Sequence, residues 1–270
     1  MKTILFPTDF SKASVKSAPI AVAFARLLSA RIVFLYAVRS FADRDKFIGS
    51  AAFEDETQAK QALSNLAEKY SGETPCEYQV RTGVVSDEIA AAAKETGANL
   101  IIMSTSGAGE IPDALALLNS TTTDLISKRI CPVLALPAGV SLPSIRKIVL
   151  AIDREPIDAS ILTLITELAQ QPSAEILLLT VLSEEDIPGD DLLANKNTAI
   201  EQVLTRTTYS VHAVRSEDTI ESIRKFAADQ QADLIAVISR KRGFFNMLFH
   251  ESVSQKLALH SQVPLLVLPG

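Results

Sequence analysis

Apolar runs too short and too unbroken to be helices alternate along this chain with stretches whose apolar residues fall three or four apart. Ile4 to Thr8, Arg31 to Val38, Leu100 to Met103 and Val133 to Leu136 are of the first kind. Runs without polar alternation fit strands covered on both faces of a parallel sheet. Of the second kind is the stretch after Asp9, with Val15, Ala18, Val22, Ala25 and Leu28 on one helical face and Ser11 or Asp9 as cap. A loop over residues 41–56 leads into a second helix, Thr57 to Tyr70, ended by Gly72 and Pro75. A strand from Glu77 to Arg81, a helix from Ser86 to Thr96 closed by Gly97, and a helix beginning at Ser120 complete the alternation. This order predicts a doubly wound α/β domain with a parallel sheet of about five strands, flanked by helices.

The pattern is then written a second time. IVLAID (Ile148 to Asp153) answers ILFPTD (Ile4 to Asp9), and SAEILLLTVL answers SARIVFLYAV, both 144 positions on. Ser252 answers Ser120, and Val263-Pro264 answers Cys131-Pro132, both 132 positions on. Strands are expected at Lys147 to Ile152, Glu175 to Leu182, Tyr209 to Val214 and Leu265 to Leu268, and helices at Ala159 to Gln170, Asp191 to Thr205 and Asp218 to Gln230. The chain therefore reads as two tandem domains, residues 1–141 and 145–270, joined by the short linker Ala138 to Pro143. The last strand of each copy is apolar and ends the sequence order, so the halves are expected to associate as an intramolecular pseudo-dimer and whole chains as homodimers.

Charge and composition narrow the function. A net charge of −6 over 270 residues argues against a nucleic-acid partner, which needs clustered Lys and Arg. No apolar run approaches the roughly 20 residues of a membrane span, the stretch before Pro7 is too short for a signal peptide, and Cys76 and Cys131 lack partners at metal-ligand spacing. A cytoplasmic protein with free thiols and no membrane partner is expected. No catalytic constellation emerges: His212, His250 and His260 have no Ser or Cys elbow beside them, and there is no GxxxxGK[ST]. The chain is expected not to be an enzyme.

Candidate chemistry concentrates between Ser104 and Ser120. Gly107 and Gly109, with small neighbours at Ser104, Thr105, Ser106 and Ala108, leave backbone amides accessible where the chain quits a strand. Ser120 opens a helix, with Thr121, Thr122 and Thr123 at its positive end, so amides and helix dipole together suit a phosphate. Asp9 could accept hydrogen bonds from a ribose or hold a metal ion near phosphates. Plain alternatives stay open: Ser120 as an N-cap, Gly107 and Gly109 as a tight turn, Asp9 as a cap. The second copy has Ile238, Arg240, Lys241 and Arg242 in place of small residues, and Glu251 just before Ser252. A carboxylate there repels phosphate, and the three basic residues read as a solvated turn, with capture of an anion by their side chains as the open alternative.

These residues resemble the universal stress protein family in its tandem two-domain form, over essentially the whole chain. The family's nucleotide-binding members carry G-x-x-G, nine residues, then G-[ST] after the fourth strand, with an Asp ending the first. Here Ser104 replaces the first Gly, Gly107 matches the second, Asn119 replaces the third, Ser120 matches the hydroxyl, and the loop is two residues longer. Asp9 matches the carboxylate, Pro7 the residue near the base, and Ala37 the position facing adenine, whereas the second copy keeps only Asp153. The resemblance implies two adenine nucleotide alpha hydrolase-like folds, a candidate nucleotide-binding first domain and a degenerate second one. ATP is the implied ligand, with Mg only in its company. The implied site is Pro7, Asp9, Ala37, Ser104, Ser106, Gly107, Gly109, Asn119, Ser120 and Thr121. Competing expectations are a nucleotide-free interaction module of the stress response and a slow ATP hydrolase using Asp9 and a metal.

Overall fold

The computed structural model describes residues 1–38, 56–105, 120–141, 144–153, 157–183, 204, 207–240 and 263–270. The chain divides into two compact units, Met1–Ser141 and Leu142–Gly270. In the first, the elements run β1 (Lys2–Pro7), α1 (Lys12–Leu27), β2 (Ala30–Val38), α2 (Glu56–Tyr70), β3 (Cys76–Thr82), α3 (Val85–Thr96), β4 (Leu100–Ser104), α4 (Ser120–Lys128) and β5 (Val133–Leu136). All neighbours pair in parallel, in the order β3-β2-β1-β4-β5. Right-handed crossovers therefore set α1 and α2 on one face and α3 and α4 on the other.

The second unit comprises β6 (Lys147–Ala151), a 3-10 turn at Ala159–Leu162 running into α5 (Thr163–Leu168), β7 (Glu175–Leu182), β8 (Thr208–Arg215), α6 (Thr219–Asp229), β9 (Leu234–Ser239) and β10 (Leu265–Pro269). Its parallel order is β10-β9-β6-β7-β8. The expected helix from Ala159 to Gln170 is thus split, because Asp158 caps a tight turn by accepting from the Ser160 amide at 2.8 Å before α5 begins. The expected helix Asp191 to Thr205 lies outside the described residues, apart from Leu204.

Backbone detail repeats along with topology. Ser29 (φ 49°) and Ser173 (φ 66°), 144 positions apart, both turn left-handed before the second strand of their unit. Gly97 (φ 61°) and Gln231 (φ 54°) do the same before β4 and β9. Side chains repeat too: Asn99 Oδ1 accepts from the Thr3 amide at 2.9 Å, while Asp233 Oδ2 accepts from the amides of Arg146 and Lys147 at 2.8 and 2.9 Å.

The sheet of the first unit holds its core. Phe6 and Phe34 are buried in register, their rings edge to face at 5.9 Å, where the second unit has buried Leu150 and Leu178. One expected core position is corrected: Val15 is 45% exposed, while Ser14 beside it is buried. The Ser14 hydroxyl donates to Thr8 Oγ1 at 2.8 Å, so the first turn of α1 faces inward with a satisfied polar group rather than with Val15.

Candidate functional site

In the first unit the order of connection reverses between β1 and β4: the chain moves from β1 outward to β2 and β3, then returns through β4 to β5 on the other side. Crevices of open α/β sheets form at the carboxyl ends of such a pair, because the following loops diverge there. Pro7 ends β1, with Asp9 two residues on; Ala37 lies next to last in β2; Ser104 ends β4; and α4 begins with Ser120 and Thr121. All stand at the same edge of one parallel sheet. Ser106, Gly107, Gly109 and Asn119 lie outside the described residues, as does the side chain of Ser120.

The turn after β1 is built by side chains. Thr8 is buried, and its amide donates to Leu35 O at 2.8 Å, extending the β1 pairing by one residue. Its Oγ1 accepts from the Phe10 amide at 3.1 Å as well as from Ser14. Phe10 takes φ 56°, and its ring lies against Tyr36 of β2 at 5.8 Å. Asp9 Oδ1 accepts from the Ser11 amide at 3.0 Å, and Ser11 in turn caps α1 by accepting from the Ser14 amide at 3.2 Å. Both expected caps are therefore used, Ser11 for the helix and Asp9 for the turn leading to it. Asp9 stays half-buried at the crevice edge.

On the β4 side, Thr105 is buried, and its amide and hydroxyl both donate to Leu136 O, at 3.0 and 3.2 Å. Ser104 is also buried, in register with Leu136. Thr122, expected at the positive end of α4, instead turns inward: it is fully buried, and its hydroxyl donates to Met103 Sδ at 3.4 Å. Thr121 and Thr123 are half-buried. The far end of α4 is tied to α3, with Lys128 Nζ at 3.0 Å from Asp87 and 2.6 Å from Asp124. Hydrogen bonds from Lys128 and from Ser86 hold the Asp124 carboxyl below the usual range. Near the start of β5, burial pushes the Cys131 thiol up to about 12, so it is inert as a nucleophile.

The answering edge of the second unit is furnished differently. Ile152 donates to Leu179 O at 2.9 Å, as Thr8 does to Leu35, and brings Asp153 to the position of Asp9. Arg240, expected in a solvated basic turn, is instead 17% exposed and ion-paired with Asp153 at 3.3 Å, because a half-buried carboxylate lies within its reach. Lys241, Arg242, His250, Glu251, Ser252 and His260 lie outside the described residues. His212 belongs to β8, where Nε2 is 2.9 Å from Ser210 Oγ, whose hydroxyl donates to Glu175 at 2.9 Å. Among the described residues no group of three or more metal-ligating side chains occurs, and no helix is long and apolar enough to cross a membrane.

The model of the Universal stress protein family matches this chain twice, over residues 1–137 and again over 144–269. The chain belongs to the universal stress protein family. It is a tandem member, with the family's α/β fold in each unit. A universal stress protein from Archaeoglobus fulgidus DSM 4304 superposes with a TM-score of 0.76 at 21% identity, over 98% of this chain and 95% of that one. A functionally unknown protein from Pseudomonas aeruginosa PAO1 superposes with a TM-score of 0.65 at 17% identity, over 100% and 92%. At these identities the likeness is one of fold. A search of the curated proteins finds no match.

Sequence reasoning passed over Thr8 and Phe10 at the first unit's edge and read Arg240 of the second unit as solvated. Thr8 and Phe10 set the turn that carries Asp9, and Arg240 meets Asp153. A Thr between strand end and carboxylate, six residues before Ser14, was the available signal for the first. For the last it was a basic residue immediately after a strand that neighbours the Asp153 strand.

Proposed function

We propose that this universal stress protein binds an adenine nucleotide, ATP, in its first copy and does not turn it over, acting in the cytoplasm as a nucleotide-responsive module of the stress response. Phosphates would lie on the amides of Ser106, Gly107, Gly109 and Asn119 and on the start of α4 at Ser120 and Thr121, beside Ser104. Ribose would sit at Asp9 and adenine between Pro7 and Ala37. The observation that carries this reading is the convergence, at the switch point of the first sheet, of a half-buried carboxylate, a small residue on β2 and a helix N-terminus. Asp9 is a single carboxylate, so Mg would be held chiefly through the phosphates and only in the presence of ATP. The second copy, with Arg240 against Asp153, is proposed to bind none.

Calorimetric titration of the purified chain with ATP is expected to give one site per chain. Gly107→Val should weaken it about tenfold or more by placing a β-branched side chain among the phosphate amides. Unchanged affinity in that variant removes the site. The inward hydroxyls of Thr105 and Thr122 favour a second reading, a nucleotide-free interaction module. Equilibrium dialysis against labelled ATP separates the two, and release of phosphate from bound ATP would contradict the non-catalytic role.

A further inference from the structure

The second copy carries a carboxylate two residues beyond its first strand, as the first copy does, but sets a guanidinium against it. Arg240 follows β9 directly, and its Nη2 lies 3.3 Å from Oδ1 of Asp153, two residues beyond β6. The side chains are 17% and 26% exposed, so water screens this pair far less than one on the open surface. β6 and β9 are paired neighbours whose connections part company, β6 leading to β7 on one side and β9 to β10 on the other. The ion pair therefore spans the mouth of the crevice where such a sheet would take its ligand.

A third strand end packs on the same arginine. The Gly270 amide donates to Ser239 O at 2.9 Å, and a Cβ on Gly270 would fall 2.6 Å from Ile238 Cγ2 and 3.1 Å from Arg240 Cγ. The stem of Arg240 thus runs beside the end of β10 while its head meets the end of β6.

We infer that Arg240 is a tethered cation that closes the second crevice from within, clasping the ends of β6 and β9 through Asp153. It supplies the positive charge that a metal ion or a ligand donor would otherwise bring to that carboxylate. With the head of Arg240 against Asp153 and its stem beside the end of β10, the second unit takes up no free polyphosphate. The one-sidedness of the protein then follows from a residue it carries itself.

Hydrogen–deuterium exchange on the full chain tests this in two arms. In the first, the unaltered protein is titrated with ATP and, separately, with inorganic triphosphate. Exchange at Ile152, Asp153, Ser239 and Arg240 should not change, and protection there by either compound overturns the inference. In the second, Arg240→Gln and Asp153→Asn are compared singly and together. Each single change should speed exchange at those amides roughly tenfold, and the double change should add little more, since one clasp is opened either way. Fully additive effects, or none, overturn it. Should a variant fail to fold, the first arm decides. Failure of ATP to protect Thr8 and Asp9 would count against the nucleotide site of the first copy and leave this inference standing.

Discussion

Two carboxylates, Asp9 and Asp153, each lie two residues beyond the first strand of their copy and have been given different tasks. Asp9 accepts from the Ser11 amide and so is held by its own turn, half-buried at the carboxyl edge of its sheet. Asp153 is held from across the crevice by Arg240. The difference teaches that a duplicated α/β unit can keep its frame and change its site by altering the residue after one strand, because side chains beyond the strand ends contribute little to the sheet.

The comparison can be pressed hardest in the core. Phe34→Ala should destabilise the first copy by about 4 kcal/mol, and Leu178→Ala at the answering position the second by about 3 kcal/mol, as read from urea unfolding with exchange to assign the copy. Next in size, Asp9→Ala should weaken ATP binding about tenfold, or about 1.4 kcal/mol, while Asp153→Ala leaves the affinity unchanged. Equal losses in calorimetry would erase the distinction between the copies.

A smaller effect concerns the tie between α3 and α4. Lys128→Met removes the cation that most depresses Asp124. All three charged partners are surface groups, with Asp87 and Asp124 more than a third exposed, so about 0.5 kcal/mol is expected. The sign follows from the depressed carboxyl. Its contribution is present above the unfolded value of about 4 and is lost as pH falls through the lower folded value. Urea midpoints measured from pH 5 to pH 2 should therefore fall less steeply in Lys128→Met than in the parent. Of similar size is Gln231→Gly, which should stabilise by about 0.5 kcal/mol, since Gln231 holds the left-handed turn that Gly97 makes without a Cβ in the first copy. A lowered thermal midpoint would mean that the Gln side chain does more than fill the turn.

The strands and the repeat were legible because buried parallel strands leave unbroken apolar runs, and both copies kept them. The candidate edge was legible only in part. Val15 fits the helical period, yet Ser14 takes the inward place because Thr8 offers it a buried acceptor, a pairing between strand end and helix that periodicity does not encode. Thr122 reads as a hydroxyl for a ligand, and only packing against β4 shows it bonded to Met103. Arg240 looks solvated in a run of three basic residues, because its partner lies 87 positions away in sequence and beside it across paired strands.

Asn99 and Asp233 sit at the opposite edge from either crevice, each stitching the start of a late strand to the start of the first one. Fastened at the amino ends in this way, each sheet keeps its alignment whatever loops are grafted onto the carboxyl ends. Evolution was therefore free to refit one rim while leaving the hem intact.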